Sequence, residues 1–210
     1  MKLRFLIILV AVLLASGQAL AEKRVALVIG NGAYGRSIGA LANPPNDARL
    51  MAKTLRQLGF DVVEGIDVDQ KAMKRAISTF GKKLNKAGND SVGLFYYAGH
   101  GVQVNGTNYL IPLNVNIENE ADVDIEAVAA NGVQAQMAFA GNRLNIIVMD
   151  ACRNNPFKRG FRSAARGLAK MEATKGTLIA YATAPGSVAA DGSGSNSPYT
   201  EALSKAMLTS

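Results

Sequence analysis

Three apolar runs decide what this chain can fold into. Arg24 to Gly30 (RVALVIG), Ser91 to Ala98 (SVGLFYYA) and Leu144 to Met149 (LNIIVM) are nearly continuous in apolar residues. That is the pattern of strands covered on both faces of a parallel sheet, not of strands with one wet face. Helical patterns lie between them. Pro44 and Pro45 precede Asn46 and Asp47, and Leu50, Met51, Leu55 and Leu58 follow up to Gly59, which predicts a capped helix with a glycine stop. Met73, Ile77, Phe80 and Leu84 share one helix face before Gly88. Phe60 to Val63 and Thr177 to Thr183 add two extended runs, and Asn105-Gly106 sits between alternating residues from Val102 to Ile111 as a hairpin turn. Ala121 to Phe139 reads as one weakly punctuated helix, and Tyr199 to Leu208 begins another. This alternation predicts a single α/β domain, a three-layer α/β/α sandwich with a mostly parallel sheet and helices on both faces. In such sheets chemistry gathers beyond the carboxyl ends of the strands.

The first residues stand apart. Met1 to Ala21 carries Lys2 and Arg4, an apolar run from Phe5 to Leu14 and the small-x-small pattern Ala19-Leu20-Ala21, the grammar of a secretory signal peptide. The run is about ten residues, short of the roughly 20 that cross a bilayer. The expectation is a signal peptide over 1–21, an exported domain over 22–210 that is periplasmic or secreted, and no lasting membrane span. Without Lys2 and Arg4 there remain 21 basic residues against 16 acidic ones. Part of that excess is gathered in Lys158, Arg159, Arg162, Arg166 and Lys170, away from any aromatic-lined face. A solvated loop is the reading, and no nucleic-acid partner is expected.

The sequence holds one His and one Cys. An internal disulfide and a His/Cys structural zinc site are excluded, which leaves Cys152 as inert packing, an intermolecular bridge or a reactive thiol. His100 and Cys152 both stand just past the ends of buried runs. If those runs are parallel neighbours about 4.8 Å apart, the two side chains face one gap. An imidazole able to take a thiol proton is sufficient for acyl transfer, with the amides of Gly101 and Cys152 as oxyanion donors. The alternative is a non-catalytic module that uses the same fold to hold a peptide or a partner. Gly30-Asn31-Gly32-Ala33-Tyr34-Gly35 fits the G-x-G-x-x-G dinucleotide fingerprint, but no helix opens on it and the acidic residue expected about 20 positions on is missing, so no nucleotide cofactor is expected.

Tyr96-Tyr97-Ala98-Gly99-His100-Gly101 and Asp150-Ala151-Cys152-Arg153 resemble the two catalytic motifs of the caspase-like cysteine peptidases, the group of caspases, metacaspases and bacterial orthocaspases. His100 and Cys152 are 52 residues apart, close to the spacing of about 50 that caspases keep. Val28-Ile29-Gly30-Asn31, Asn46-Asp47-Ala48 and Ala182-Thr183-Ala184-Pro185-Gly186 match in the same order. The resemblance implies hydrolysis of peptide bonds in peptide or protein substrates. His100 would be the general base, Cys152 the nucleophile, and the backbone of Gly101 and Cys152 the oxyanion site, with no third catalytic side chain, no cofactor and no assigned metal. It also places Asp47 and Asp150 in the primary specificity pocket with Asp191 beside them, which favours an Arg or Lys guest. The alternative is that Asp47 caps a helix and Asp150 ends a strand. Lys158, Arg159, Arg162 and Arg166 would be bonds that a basic-specific peptidase could cut in itself. The family's domain ordinarily continues past the helix near Tyr199 with another helix and a final strand, elements that would cover a sheet edge and could support a dimer. The expectation is therefore a domain truncated or shortened at Ser210.

Overall fold

The computed structural model describes residues 22–151, 157, 167–183 and 194–209. In chain order these form β1 (Arg24–Gly30), α1 (Pro44–Gln57), β2 (Phe60–Ile66), α2 (Gln70–Ala87), β3 (Val92–Ala98), β4 (Gly101–Val104), β5 (Thr107–Leu110), α3 (Asp122–Glu126), β6 (Val128–Ala129), α4 (Ala130–Ala140), β7 (Leu144–Asp150), β8 (Thr177–Tyr181) and α5 (Pro198–Leu208). Five strands make a parallel sheet in the order β2-β1-β3-β7-β8, and β4-β5-β6 make a small antiparallel sheet beside it.

The apolar runs become strands because each face meets a helix layer. Val25, Leu27 and Ile29 of β1 are buried with Met73, Ile77, Phe80 and Leu84 of α2 and with Val133 and Met137 of α4. Their neighbours Ala26 and Val28 are buried on the other side with Ala48, Met51 and Leu55 of α1, where Tyr199 and Leu203 of α5 pack as well. The strand period of two thus meets the helix period of 3.6 on both faces. This is the three-layer sandwich the alternation predicts. Asp69 caps α2 through Ala72 N at 2.7 Å, and Asn105 (φ 50) with Gly106 (φ 79) makes the expected hairpin turn. No helix among the described residues is long and apolar enough to cross a membrane.

Several boundaries differ from the sequence expectation. α1 starts at Pro44, with Asn43 at its N-cap position, so Asp47 lies inside the helix. Proline fits the first turn because its missing N–H has no partner to lose there. The expected helix over Ala121 to Phe139 is interrupted. Ala127 turns extended after α3, and β6 pairs with β5 through Leu110↔Val128 before α4 begins. That long-range ladder overrides a stretch whose alanines favour helix and whose one glycine, Gly132, lies past the interruption, inside α4. β2 runs on to Ile66, and β8 ends at Tyr181.

The glycines of the apparent dinucleotide fingerprint have another purpose. A Cβ on Gly30 would lie 2.2 Å from the Pro44 carbonyl oxygen, and one on Gly32 would lie 2.4 Å from that of Leu41. They admit the chain as it enters α1. Gly30→Ala should lower stability by about 2–3 kcal/mol in urea unfolding, the upper range for forced overpacking. Gly35→Ala, whose Cβ would meet nothing within 4 Å, should stay within about 0.5 kcal/mol.

Candidate active site

Strand order reverses at β1, which has β2 on one side and β3 on the other. The crevice at their carboxyl ends is where α/β sheets hold ligands. The chain leaving β1 is pinned there. The Asn31 side chain donates to Val68 O at 3.0 Å and accepts from Val68 N at 2.9 Å. Asp67 Oδ1 accepts from the amides of Gly32 and Ala33 at 2.7 and 3.0 Å.

His100 follows the end of β3 by two residues and is 6% exposed. Its Nε2 lies 2.9 Å from the Gly39 carbonyl oxygen. A carbonyl only accepts, so in the neutral ring Nε2 carries the hydrogen and Nδ1 keeps the lone pair that can take a proton. Tyr34 packs on the imidazole with ring centroids 4.7 Å apart. Its hydroxyl accepts from His100 N at 3.1 Å and donates to Ile111 O at 2.9 Å. Tyr97 donates to His100 O at 2.8 Å, and Ile111 N donates to the same oxygen at 3.0 Å. Gly99 must be glycine. Its φ is +153°, and a Cβ would come within 2.7 and 2.8 Å of the Tyr97 and Tyr34 hydroxyls.

β7 runs parallel to β3 with Ala98 opposite Asp150. Just beyond the rim, a Cβ on Gly101 would lie 3.1 Å from Ala151 O and 3.4 Å from Ala151 Cβ, so the two backbones are in close approach. Phe157 is buried in the apolar cluster that holds Tyr34 and Val102. Cys152 and Asp191 lie outside the described residues, as do Lys158, Arg159, Arg162 and Arg166.

Asp47 and Asp150 converge on the start of α5. Asp47 Oδ1 accepts from Ser197 N at 2.8 Å and from Asn196 Nδ2 at 2.9 Å. Asp150 Oδ2 accepts from Ser197 Oγ at 2.5 Å and from Thr200 Oγ1 at 3.0 Å. Thr200 has one hydroxyl hydrogen and gives it to Asp150, so the 2.5 Å contact between Thr200 and Tyr96 is donated by Tyr96. Asp47 therefore serves the N-terminus of α5 as well as standing in the first turn of its own helix, and Asp150 does more than end a strand. Both carboxylates are buried, at 0% and 1% exposure, at the positive end of the α5 dipole. Asp150 Oδ1 is also buried and has no hydrogen-bond partner among the described residues.

Sequence reasoning missed Tyr34, the Gly39 carbonyl, Asn196, Ser197 and Thr200. Ser197-Pro198 was readable as a cap followed by proline at the first helical position, but nothing local tied it to residues 47 and 150.

Burial, and secondarily the negative charge of Asp150, push the Tyr96 hydroxyl well above its ordinary value. Below about pH 10 tyrosine is neutral in both states; above it the unfolded chain ionises first and folding loses stability as pH rises. Tyr96→Phe should be less stable than the parent at pH 8. Its deficit should shrink between pH 10 and 11 by at most about 1.4 kcal/mol, read from urea unfolding at each pH.

A family profile of the caspase domain matches residues 23–210. The mucosa-associated lymphoid tissue lymphoma translocation protein 1 of Homo sapiens is 29% identical over 172 residues, which are 82% of this chain and 20% of that protein. Its Mus musculus homolog is 29% identical over 174 residues, 83% of this chain and 20% of the relative. The chain thus spans about a fifth of the length of these curated relatives. The match runs through the parallel sheet, the glycine-flanked His100 and the buried Asp150 alike, and the chain belongs to the caspase-domain family.

Proposed function

We propose that the chain is a cysteine endopeptidase that cleaves after Arg or Lys, with His100 and Cys152 as its dyad. Membership of the caspase-domain family suggests cysteine peptidase activity and protein substrates. The observation that carries the residue assignment is the β3–β7 register. Ala98 stands opposite Asp150, and Cys152 follows Asp150 by the same two-residue interval by which His100 follows Ala98. The chain is fixed on both sides of Cys152, at Ala151 against Gly101 and at Phe157 in the Tyr34 cluster.

In this reading Nδ1 of His100 takes the Cys152 thiol proton while Gly39 holds Nε2–H. The thiolate adds to the scissile carbonyl, and the amides of Gly101 and Cys152 receive the oxyanion. Collapse of the adduct breaks the C–N bond, the amine leaves with the proton from His100, and water then hydrolyses the thioester with the imidazole again as base. Asp47 and Asp150, with Asp191, would hold the basic side chain. A charge-assisted bond to a carboxylate is worth roughly 1.5–3 kcal/mol, enough for about a tenfold preference over neutral residues.

Matched reporter peptides ending in Arg, Lys or Asp test this. Cleavage should follow Arg or Lys, vanish in Cys152→Ala and fall at least about 100-fold in His100→Ala. Faster cleavage after Asp reverses the specificity. A Cys152 that an electrophilic peptide labels no faster than a free thiol favours the binding-module alternative.

We also propose export, with cleavage after Ala21. N-terminal sequencing of the protein secreted or recovered from the periplasm should begin at Glu22, and an intact Met1 terminus would refute it.

A further inference from the structure

Ser197 has two jobs. It is the N-cap of α5, its hydroxyl oxygen accepting from Thr200 N at 3.1 Å, with Pro198 in the first turn. The same residue donates its amide to Asp47 and its hydroxyl to Asp150. Capping needs only an acceptor for first-turn amides. Two donations to two buried acids from distant parts of the chain lie outside that need.

The consequence is orientational. The terminal torsion of an aspartate is broad, but each of these carboxylates has one oxygen held twice from α5: Asp47 by Ser197 and Asn196, Asp150 by Ser197 and Thr200. Their planes are set before any guest arrives. Asp150 Oδ1 is then left buried and without a hydrogen-bond donor among the described residues, a state that calls for a donor from elsewhere, such as a guest side chain.

On the reading above, that Asp47 and Asp150 receive a basic side chain, we infer that Ser197 is the positioning residue that makes this pocket prefer arginine to lysine. A guanidinium is a planar fork whose bonds depend on the plane of the carboxylate it meets, whereas an ammonium is a point charge with rotating donors that tolerates a turned carboxylate. Fixing both planes from one residue favours the fork. Ser197 touches no reacting atom and acts only through the two acids.

The test is kcat/KM for matched Arg and Lys peptides on the parent chain and on S197A, S197G and S197T. Alkylation of Cys152 by iodoacetamide, which needs no pocket, is followed alongside. The hydroxyl-free variants should lose about tenfold on Arg peptides, mostly through KM, and less than about threefold on Lys peptides. Iodoacetamide rates should stay within about twofold, and S197T should keep the parent Arg-to-Lys ratio. Glycine caps helices nearly as well as serine, so S197G reads the pocket even if S197A does not fold. An unchanged Arg-to-Lys ratio in S197G, or an equal fall on both peptides, overturns the positioning role while leaving basic specificity standing. A parent chain that cleaves neither peptide, or cleaves after Asp faster, removes the specificity reading and this inference with it.

Discussion

The parallel pairing of β3 with β7 is the constraint on which the rest depends. It aligns Ala98 with Asp150, so both strands end at the same height on one rim. Slippage by one residue is barred. β3 is buried along its whole length, and a one-step shift would exchange every side chain between two differently shaped layers. The consecutive tyrosines show what this register achieves. Tyr97 belongs to the layer with α2 and α4 and reaches the main chain of His100. Tyr96 belongs to the layer with α1 and α5 and reaches Thr200, which bonds Asp150. Two adjacent residues thus support His100 from one face and the acids from the other.

Much of this was legible in the sequence where periodicity spoke. The buried strands, the α2 face and the hairpin turn at Asn105-Gly106 follow from local pattern alone. The interruption between α3 and α4 was not legible, because it is made by pairing of Val128 with Leu110; nothing within Ala121 to Phe139 announces a strand. The site was legible in part. His100 stands at the end of a buried run, and its glycine neighbours are visible in the sequence. Its acceptor is a main-chain oxygen, and main-chain oxygens carry no letter. The partners of Asp47 and Asp150 were hidden for a different reason. Residues 47, 150 and 197 meet only because α1 and α5 cover the same face of the sheet.

The rim is also unusually polar for a place so dry. Asn31, Asp47, His100, Asp150, Ser197 and Thr200 are all buried. Such groups are tolerable when their hydrogen bonds are made, and a satisfied network fixes one arrangement of the backbone more sharply than apolar packing does. Here one set of bonds ties Asn31, Tyr34 and His100 to Val68, Gly39 and Ile111 beyond the ends of β1 and β3, and a second ties Asp47, Asp150 and Tyr96 to Ser197 and Thr200 at the start of α5, so the geometry of the crevice is specified by the same contacts that close the fold.

Holding the imidazole by the Gly39 carbonyl has an evolutionary corollary. An oxygen of the main chain cannot be deleted by changing a codon, as a side-chain acceptor could be. What it cannot survive is a different path: Gly39 sits at φ +92°, and an inserted or deleted residue between β1 and α1 would carry the oxygen away from the ring. Lineages of this fold should therefore tolerate drift in the letters of that connection far better than drift in its length.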